Sequence, residues 1–247
     1  MLSDEELLRY SRQIMLQQID IDGQQKLSDA SVLVVGVGGL GSPVALYLAA
    51  AGIGSLTLVD DDQVDSSNLQ RQIIHQESCQ GIDKVESAKQ RLEQINPSCK
   101  LELINKRLDK SSIENLLSNI DLVVDCCDNF ETRFMLNEVC WQSKTPLVSG
   151  AAIRWEGQLT TFLMEPDSAC YACLYDNDTH TDQSCSENGV LGPIVGTIGS
   201  LQALEAIKVI TGAGTPSAGC LILFDGIDLS FNKIKFRKKK GCLVCSN

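Results

Sequence analysis

The 247-residue chain predicts an α/β fold, a mostly parallel sheet flanked by helices and finished by antiparallel C-terminal strands. Three observations predict it. Apolar runs alternate with helical patterns through residues 1–150. A glycine turn, Gly36-Val-Gly-Gly-Leu-Gly41, follows the first run, and an acid, Asp60, ends the next. Two C-x-x-C pairs, Cys170/Cys173 and Cys242/Cys245, stand far apart in the second half. Glycines at that spacing between strand and helix build a Rossmann-like sheet. Paired knuckles of four cysteines suit tetrahedral thiolate ligation, so a structural four-cysteine zinc site is expected to staple the tail to the middle of the chain.

The predicted strands are Val32–Val35, Ser55–Val59, Leu101–Ile104, Leu122–Val124 and Leu147–Ser149. Their runs are apolar and mostly non-alternating, which fits strands covered on both faces. In Asp83–Ile95 the residues Val85, Ala88, Leu92 and Ile95 share one helical face, and Asn96-Pro97 stops the helix. Another helix is expected over Glu131–Cys140. The repeated strand–helix order implies right-handed crossovers. Beyond Gly150 a strand is expected at Gln158–Leu163, then a polar, aperiodic stretch, Asp176–Glu187, that reads as a mobile loop. A long helix follows at Pro193–Thr211 with Gly212 as its stop. Leu221–Phe224 and Ile234–Arg237 complete an antiparallel edge. With no repeat and no linker, residues 1–247 read as one domain, whose nucleotide-binding half is 1–150 and whose second half is 151–247.

Composition narrows the function. Hydrophobic residues at 43% and charged residues at 21% are ordinary for a globular chain. A net charge of −11 argues against nucleic acid as a partner. The segment Lys233–Lys240 holds six basic residues and no acid, which leaves −17 on residues 1–232. Its run Arg237–Lys240 reads as a solvated strand end. The N-terminus, charged from Asp4, lacks the apolar core of a signal peptide. No stretch approaches the roughly eighteen apolar residues of a membrane span. A cytoplasmic location without membrane partners is therefore expected. Eleven cysteines in a reducing compartment favour ligation, catalysis or burial over disulfides.

The glycine turn carries the first piece of chemistry. Gly36 permits the tight turn, Gly38 and Gly39 let phosphate approach the backbone, and Gly41 lets the helix pack on the strand. Asp60 would accept hydrogen bonds from both ribose hydroxyls, while Asp61 and Asp62 read as solvated turn residues. So far this describes a dinucleotide site. The next segment, Asn68-Leu-Gln-Arg71, redirects the reading: Asn68 and Gln70 bring amides, and the guanidinium of Arg71 matches phosphate oxygens. Lys84 opens the following helix and adds a point charge. Asp125-Cys-Cys-Asp128-Asn129 lies at a strand's carboxyl end, where open sheets bind ligands. Asp128 is the expected Mg²⁺ holder. Asn129 serves equally as ligand or as helix N-cap. Cys185, alone in the polar stretch, is either a nucleophile or sulfur carrier or an incidental thiol. Cys79, Cys99, Cys126, Cys127, Cys140 and Cys220 read as core or incidental, and His75 and His180 have no partners that point to catalysis.

Together these residues resemble the ubiquitin-activating-type superfamily, specifically the bacterial adenylyltransferases of small sulfur-carrier proteins. The resemblance spans the chain through Arg9–Gln13, Asp22–Gln25, Gly36–Gly41, Ser67–Gln72, Lys84, Asp125–Asn129, Gly150–Arg154, the cysteine pairs and Gly199–Lys208. It implies that ATP with Mg²⁺ activates the C-terminal glycine carboxylate of a ubiquitin-fold carrier ending in Gly-Gly as an acyl-adenylate, with pyrophosphate released. It also implies a homodimer in which Arg12 reaches the neighbouring subunit's triphosphate, with Arg71 and Lys84 stabilising transferred charge. No sulfurtransferase domain is appended, so a separate sulfurtransferase or cysteine desulfurase is expected. Two branches fit. Gly150–Gly157 resembles the molybdopterin branch, the reading adopted here, whereas Asp22–Leu27 and Gly192–Gly196 resemble the thiamine branch, in which a cysteine at the place of Cys185 takes part in sulfur transfer. Cys127 stands where relatives carry threonine, and Ser66 where they carry leucine. A dehydrogenase would leave Arg71, Lys84 and Asp128 without a task, and a non-catalytic nucleotide-binding scaffold would not need Arg12 as well.

Overall fold

The computed structural model describes residues 2–175 and 189–246. Three short helices open the chain: α1 (Asp4–Arg9), α2 (Ser11–Ile14) and α3 (Asp20–Asp29). The first starts with a capping box, Ser3 and Glu6 satisfying each other's backbone N–H groups. Then come β1 (Ser31–Val35), α4 (Gly41–Ala51), β2 (Ser55–Val59), α5 (Lys84–Ile95), β3 (Lys100–Ile104), α6 (Lys110–Leu117), β4 (Leu122–Asp125), α7 (Phe130–Ser143) and β5 (Leu147–Ile153). The second half adds β6 (Glu156–Phe162), α8 (Tyr171–Leu174), α9 (Gly192–Thr211), β7 (Cys220–Asp225) and β8 (Ser230–Lys235).

Among the described residues, eight strands form one sheet in the order β3-β2-β1-β4-β5-β6-β7-β8. The pairs from β3 to β5 are parallel. Those from β5 to β8 are antiparallel. Strand order reverses between β1 and β4, where Val35 pairs with Val59 on one side and Asp125 on the other. Such a switch point opens a crevice at the strands' carboxyl ends.

Non-alternating strands are explained by their two-sided burial. Val32, Val34, Leu56, Leu58, Leu122 and Val124 join one core cluster with residues of α4, α5 and α9. Leu33, Val35 and Val123 face the opposite cluster with α6 and α7. Each such side chain removed from water contributes about 1.5–3 kcal/mol. The edge strand β3 is only partly buried, as its Lys100 and Glu102 require.

Several expectations shift. The last strand is Ser230–Lys235, so Phe236 and Arg237 fall beyond it. In the following run Lys238 is anchored, its Nζ lying 5.3 Å from the Trp141 ring centre and donating to the Pro166 carbonyl at 2.6 Å. Helix α9 ends at Gly212 in the left-handed region (φ 78°), as expected. Contrary to the expectation that no stretch is long enough, α9 has the length and composition of a membrane span, with mean hydropathy 1.3. Half of that window is buried inside the fold. It is apolar because it packs across the sheet and α4. Asp176–Glu187, with His180 and Cys185, lies outside the described residues.

Candidate active site

The crevice at the switch point is a cavity of about 350 Å³. The loop from β1 to α4 forms its floor. Gly36 adopts φ 93°, and a Cβ there would meet the Cys126 carbonyl at 2.7 Å. A Cβ on Gly41 would run into the Gly36 carbonyl. Both positions demand glycine, and Gly38 and Gly39 line the cavity itself. The first turn of α4 has no side-chain cap, and a helix N-terminus of this kind favours an anion at its end.

Asp60 ends β2 with its carboxylate against this loop. Oδ2 accepts from Val37 N at 2.7 Å and Oδ1 from Asp62 N at 3.0 Å. Burial pushes its carboxyl above the ordinary range, while Lys84 and the Val37 N–H pull it back. Lys84, the first residue of α5, is 5% exposed, and its Nζ sits 2.7 Å from Asp62 and 3.9 Å from Asp60. Asp62 is thus no idle turn residue: its carboxylate fixes the lysine head, a correction to the sequence reading. The cause is an antiparallel bridge between Gln63 and Asp83, which lays the turn beside the start of α5.

Arg71 lines the cavity and braces its guanidinium on the Ser67 carbonyl at 3.0 Å. Asn68 and Gln70, expected over the nucleotide, do not line it. Asn68 turns to the Ser67 hydroxyl at 3.2 Å. Gln72 enters instead, buried and with an unpartnered Oε1. Arg12 lies exposed on α2, outside the cavity.

At the end of β4 the two acids part company. Asp125 is fully buried, accepting from Ser149 at 2.6 Å and from Cys127 N at 3.0 Å, with Arg133 at 3.8 Å. Burial works against the charge on Arg133, yet Asp125 and Tyr171 hold its guanidinium above the ordinary value. Arg133 donates to the Cys127 carbonyl at 2.6 Å and so pins the loop that carries Asp128. Asp128 itself is exposed on the cavity wall, free of that network, where a hard cation could use its oxygens. Asn129 is the N-cap of α7, accepting from Thr132 N at 2.9 Å, and it also lines the cavity. Cys126 and Cys127 are buried, and burial raises both thiols well above their ordinary value, which makes them poor nucleophiles. Sequence reasoning missed Lys106 and Arg107, which also line the cavity, Arg107 pairing with Glu131 of α7 at 3.1 Å. Their position follows from the β3 pairing, which no local spacing reports.

The two cysteine pairs meet. The four Sγ atoms of Cys170, Cys173, Cys242 and Cys245 lie within 4.8 Å of one another. Cys170 is 3.7 Å from Cys242 and 4.0 Å from Cys173, and Cys173 is 3.3 Å from Cys245. Zinc–sulfur bonds of about 2.3 Å in a tetrahedron put sulfurs about 3.8 Å apart, so the donor set fits that ion. Asn137 Nδ2 donates to Cys170 at 3.7 Å and Lys239 N to Cys173 at 3.3 Å, the outer support such a centre needs.

Fold and site define a nucleotide-binding α/β protein with a four-cysteine centre. The model of the ThiF family matches residues 10–244, and the chain belongs to that family. It is 47% identical over 244 residues to molybdopterin-synthase adenylyltransferase of Escherichia coli K12, covering 99% of this chain and 98% of that one. It is 44% identical over 246 residues to the sulfur carrier protein ThiS adenylyltransferase of the same strain, covering 99% and 97%. It shares its fold with E. coli MccB crystallised with ATP, at a TM-score of 0.84 and 23% identity over 96% of this chain and 74% of that one.

Proposed function

We propose that this protein is an ATP-dependent adenylyltransferase that activates the C-terminal glycine carboxylate of a ubiquitin-fold sulfur carrier for molybdopterin synthesis. The observation that carries this reading is the convergence of Arg71, Lys84 and Asp128 on the glycine-loop cavity. The name of the relative at 47% identity supports it. Asp60 and the glycine loop hold adenosine, and the first turn of α4 faces the phosphates. The carrier's carboxylate attacks the α-phosphorus, and pyrophosphate leaves. The protein contributes position and charge: Arg71 and Lys84 stabilise the negative charge that builds on the phosphates, in a site that is already assembled. Mg²⁺, held by Asp128, would supply further charge neutralisation on the triphosphate.

Zinc at the four cysteines is a structural clamp, since the site offers no open position. We assign the whole of residues 1–247 to one adenylation domain acting as a homodimer in the cytoplasm, served by a separate sulfurtransferase or cysteine desulfurase. Arg12 then acts in its neighbour's site. Supporting the dimer, exposed Tyr47 and Leu204 border an apolar groove of about 320 Å³ between α4 and α9. A second reading, the thiamine pathway, is favoured by Asp22–Leu27 and Gly192–Gly196 and by the relative at 44% identity. Whether Cys185 takes part in sulfur transfer belongs to that reading. Exchange of labelled pyrophosphate into ATP, measured with each Gly-Gly carrier in parallel, tests both. Exchange with neither carrier would overturn the assignment.

A further inference from the structure

The sequence leaves His75 without a task, yet its imidazole is 6% exposed and has both nitrogens engaged. Nε2 lies 3.0 Å from the Val37 carbonyl, in the middle of the glycine turn. Nδ1 lies 3.0 Å from the hydroxyl of Ser87, one helical turn after Lys84 in α5. The histidine's own backbone continues the Arg71 segment, its N–H donating to Gln72 O at 3.1 Å. One side chain therefore joins the glycine loop, the arginine segment and the lysine helix. These pieces are discontinuous in sequence, and among the described residues no strand pairing joins residues 67–72 to either of the others.

We propose that His75 is a positioning residue that holds the glycine loop, Arg71 and Lys84 at the spacing a bound triphosphate requires. The carbonyl of Val37 can only accept, so Nε2 carries the proton and Nδ1 accepts from Ser87. The neutral ring is favoured by its surroundings, because burial, with Lys84 nearby, pushes His75 down to about 4. The hydrogen bonds bear on the cavity directly. Val37 donates its N–H to Asp60, so a shift of the Val37 peptide moves both the phosphate floor and the ribose acid. Ser87 is buried and sits on the face of α5 that carries Lys84. Without the bridge, these pieces keep their strand and helix contacts but lose their mutual distance.

The proposal rests on the adenylation reading only in its use of ATP as ligand. Its test is equilibrium binding of a non-hydrolysable ATP analogue to the full-length protein, alongside pyrophosphate exchange. His75→Phe keeps a ring and removes both nitrogens; it should weaken nucleotide binding about tenfold, the equivalent of one lost buried hydrogen bond. The KM for the carrier should stay unchanged. His75→Gln, which can still donate to Val37, should recover most of the affinity. Ser87→Ala, a small change that keeps the fold if His75→Phe does not, should weaken binding about threefold by the same reasoning. Unchanged analogue affinity in the folded variants, with only a lower melting temperature, would overturn the proposal. A Gln variant no better than Phe would overturn it too, since the ring's packing would then be what matters. Wild-type protein that binds the analogue but exchanges nothing with either carrier would remove the adenylation reading and leave this one standing.

Discussion

The candidate nucleotide cavity gathers its side chains from segments scattered between Val35 and Val195, while the cysteine cluster draws four thiols from two short knuckles. Secondary structure positions much of the first: the glycine loop, Asp60, Lys84 and Asp128 follow a strand or open a helix, while the Arg71 segment is carried by a loop. The second does the positioning. Sixty-eight residues separate Cys173 from Cys242, and α8, which carries the first knuckle, is only four residues long. Changes in the cavity should therefore act on chemistry, and changes in the cluster on folding.

The sharpest way to break that comparison is to remove the metal. Structural zinc can contribute about 10 kcal/mol or more to folding at neutral pH. Chelation, or Cys242→Ser, should abolish stoichiometric zinc by elemental analysis and lower the melting temperature by more than about 10 °C, at about 2–4 °C per kcal/mol. A protein that holds no metal as isolated, and melts unchanged with chelator, would mean that the cluster is only four buried thiols.

Asp128→Ala should do the reverse. Its carboxylate is exposed and outside the Asp125–Arg133 network, so the melting temperature should move by less than about 2 °C. Exchange should fall by a factor of about 10² to 10³, the scale seen when one charge-stabilising group leaves an active site. Full exchange in this variant would remove Asp128 from the chemistry.

What could be read in advance divides along the same line. The glycine turn, Asp60 and the cysteine pairs are local spacings, and they fold into the places their spacing implies. Asp128 was legible in preference to Asp125 because it lies further beyond the strand, and it is Asp128 that lines the cavity while Asp125 is buried. Lys106, Arg107, Gln72 and the Asp62–Lys84 pair were not legible, because each depends on which segments the sheet and the Gln63–Asp83 bridge bring together. The N-terminal helices left one readable trace, Ser3-Asp-Glu-Glu6, whose capping box starts α1. Asn68 and Gln70 lie outside the cavity lining: after the short 3₁₀ turn at Ser66–Asn68, Arg71 and Gln72 are the residues of that segment that line it.

Acid should expose the coupling at His75. The free side chain titrates near 6.5 and the buried one near 4. Above pH 6.5 both states are neutral and the full stability is present. As the pH falls from 6.5 toward 4, the unfolded chain binds a proton that the folded chain refuses. Stability should then decline by up to about 3 kcal/mol from this group alone. Urea midpoints of wild type and His75→Gln across this range should converge as the pH drops. Parallel curves would mean that His75 is protonated as readily in the fold as outside it.

The smallest expected effect separates the two roles open to Asn129. Its Oδ1 caps α7 by accepting from Thr132 N, and the same side chain borders the cavity. A capping amide is worth about 1 kcal/mol when replaced by alanine, and aspartate caps about as well as asparagine. Asn129→Ala should thus lower the melting temperature by about 2–4 °C, and Asn129→Asp should restore it. Exchange then distinguishes the roles. If Asn129 only starts the helix, exchange follows stability, and the aspartate variant is as active as wild type. If the amide also touches nucleotide, the aspartate variant is stable but impaired, because it sets a second carboxylate beside Asp128 and takes away the amide's donor. The first outcome would make the loop after β4 a one-acid site mounted on a well-capped helix. The second would make the cap itself part of the cavity's binding surface.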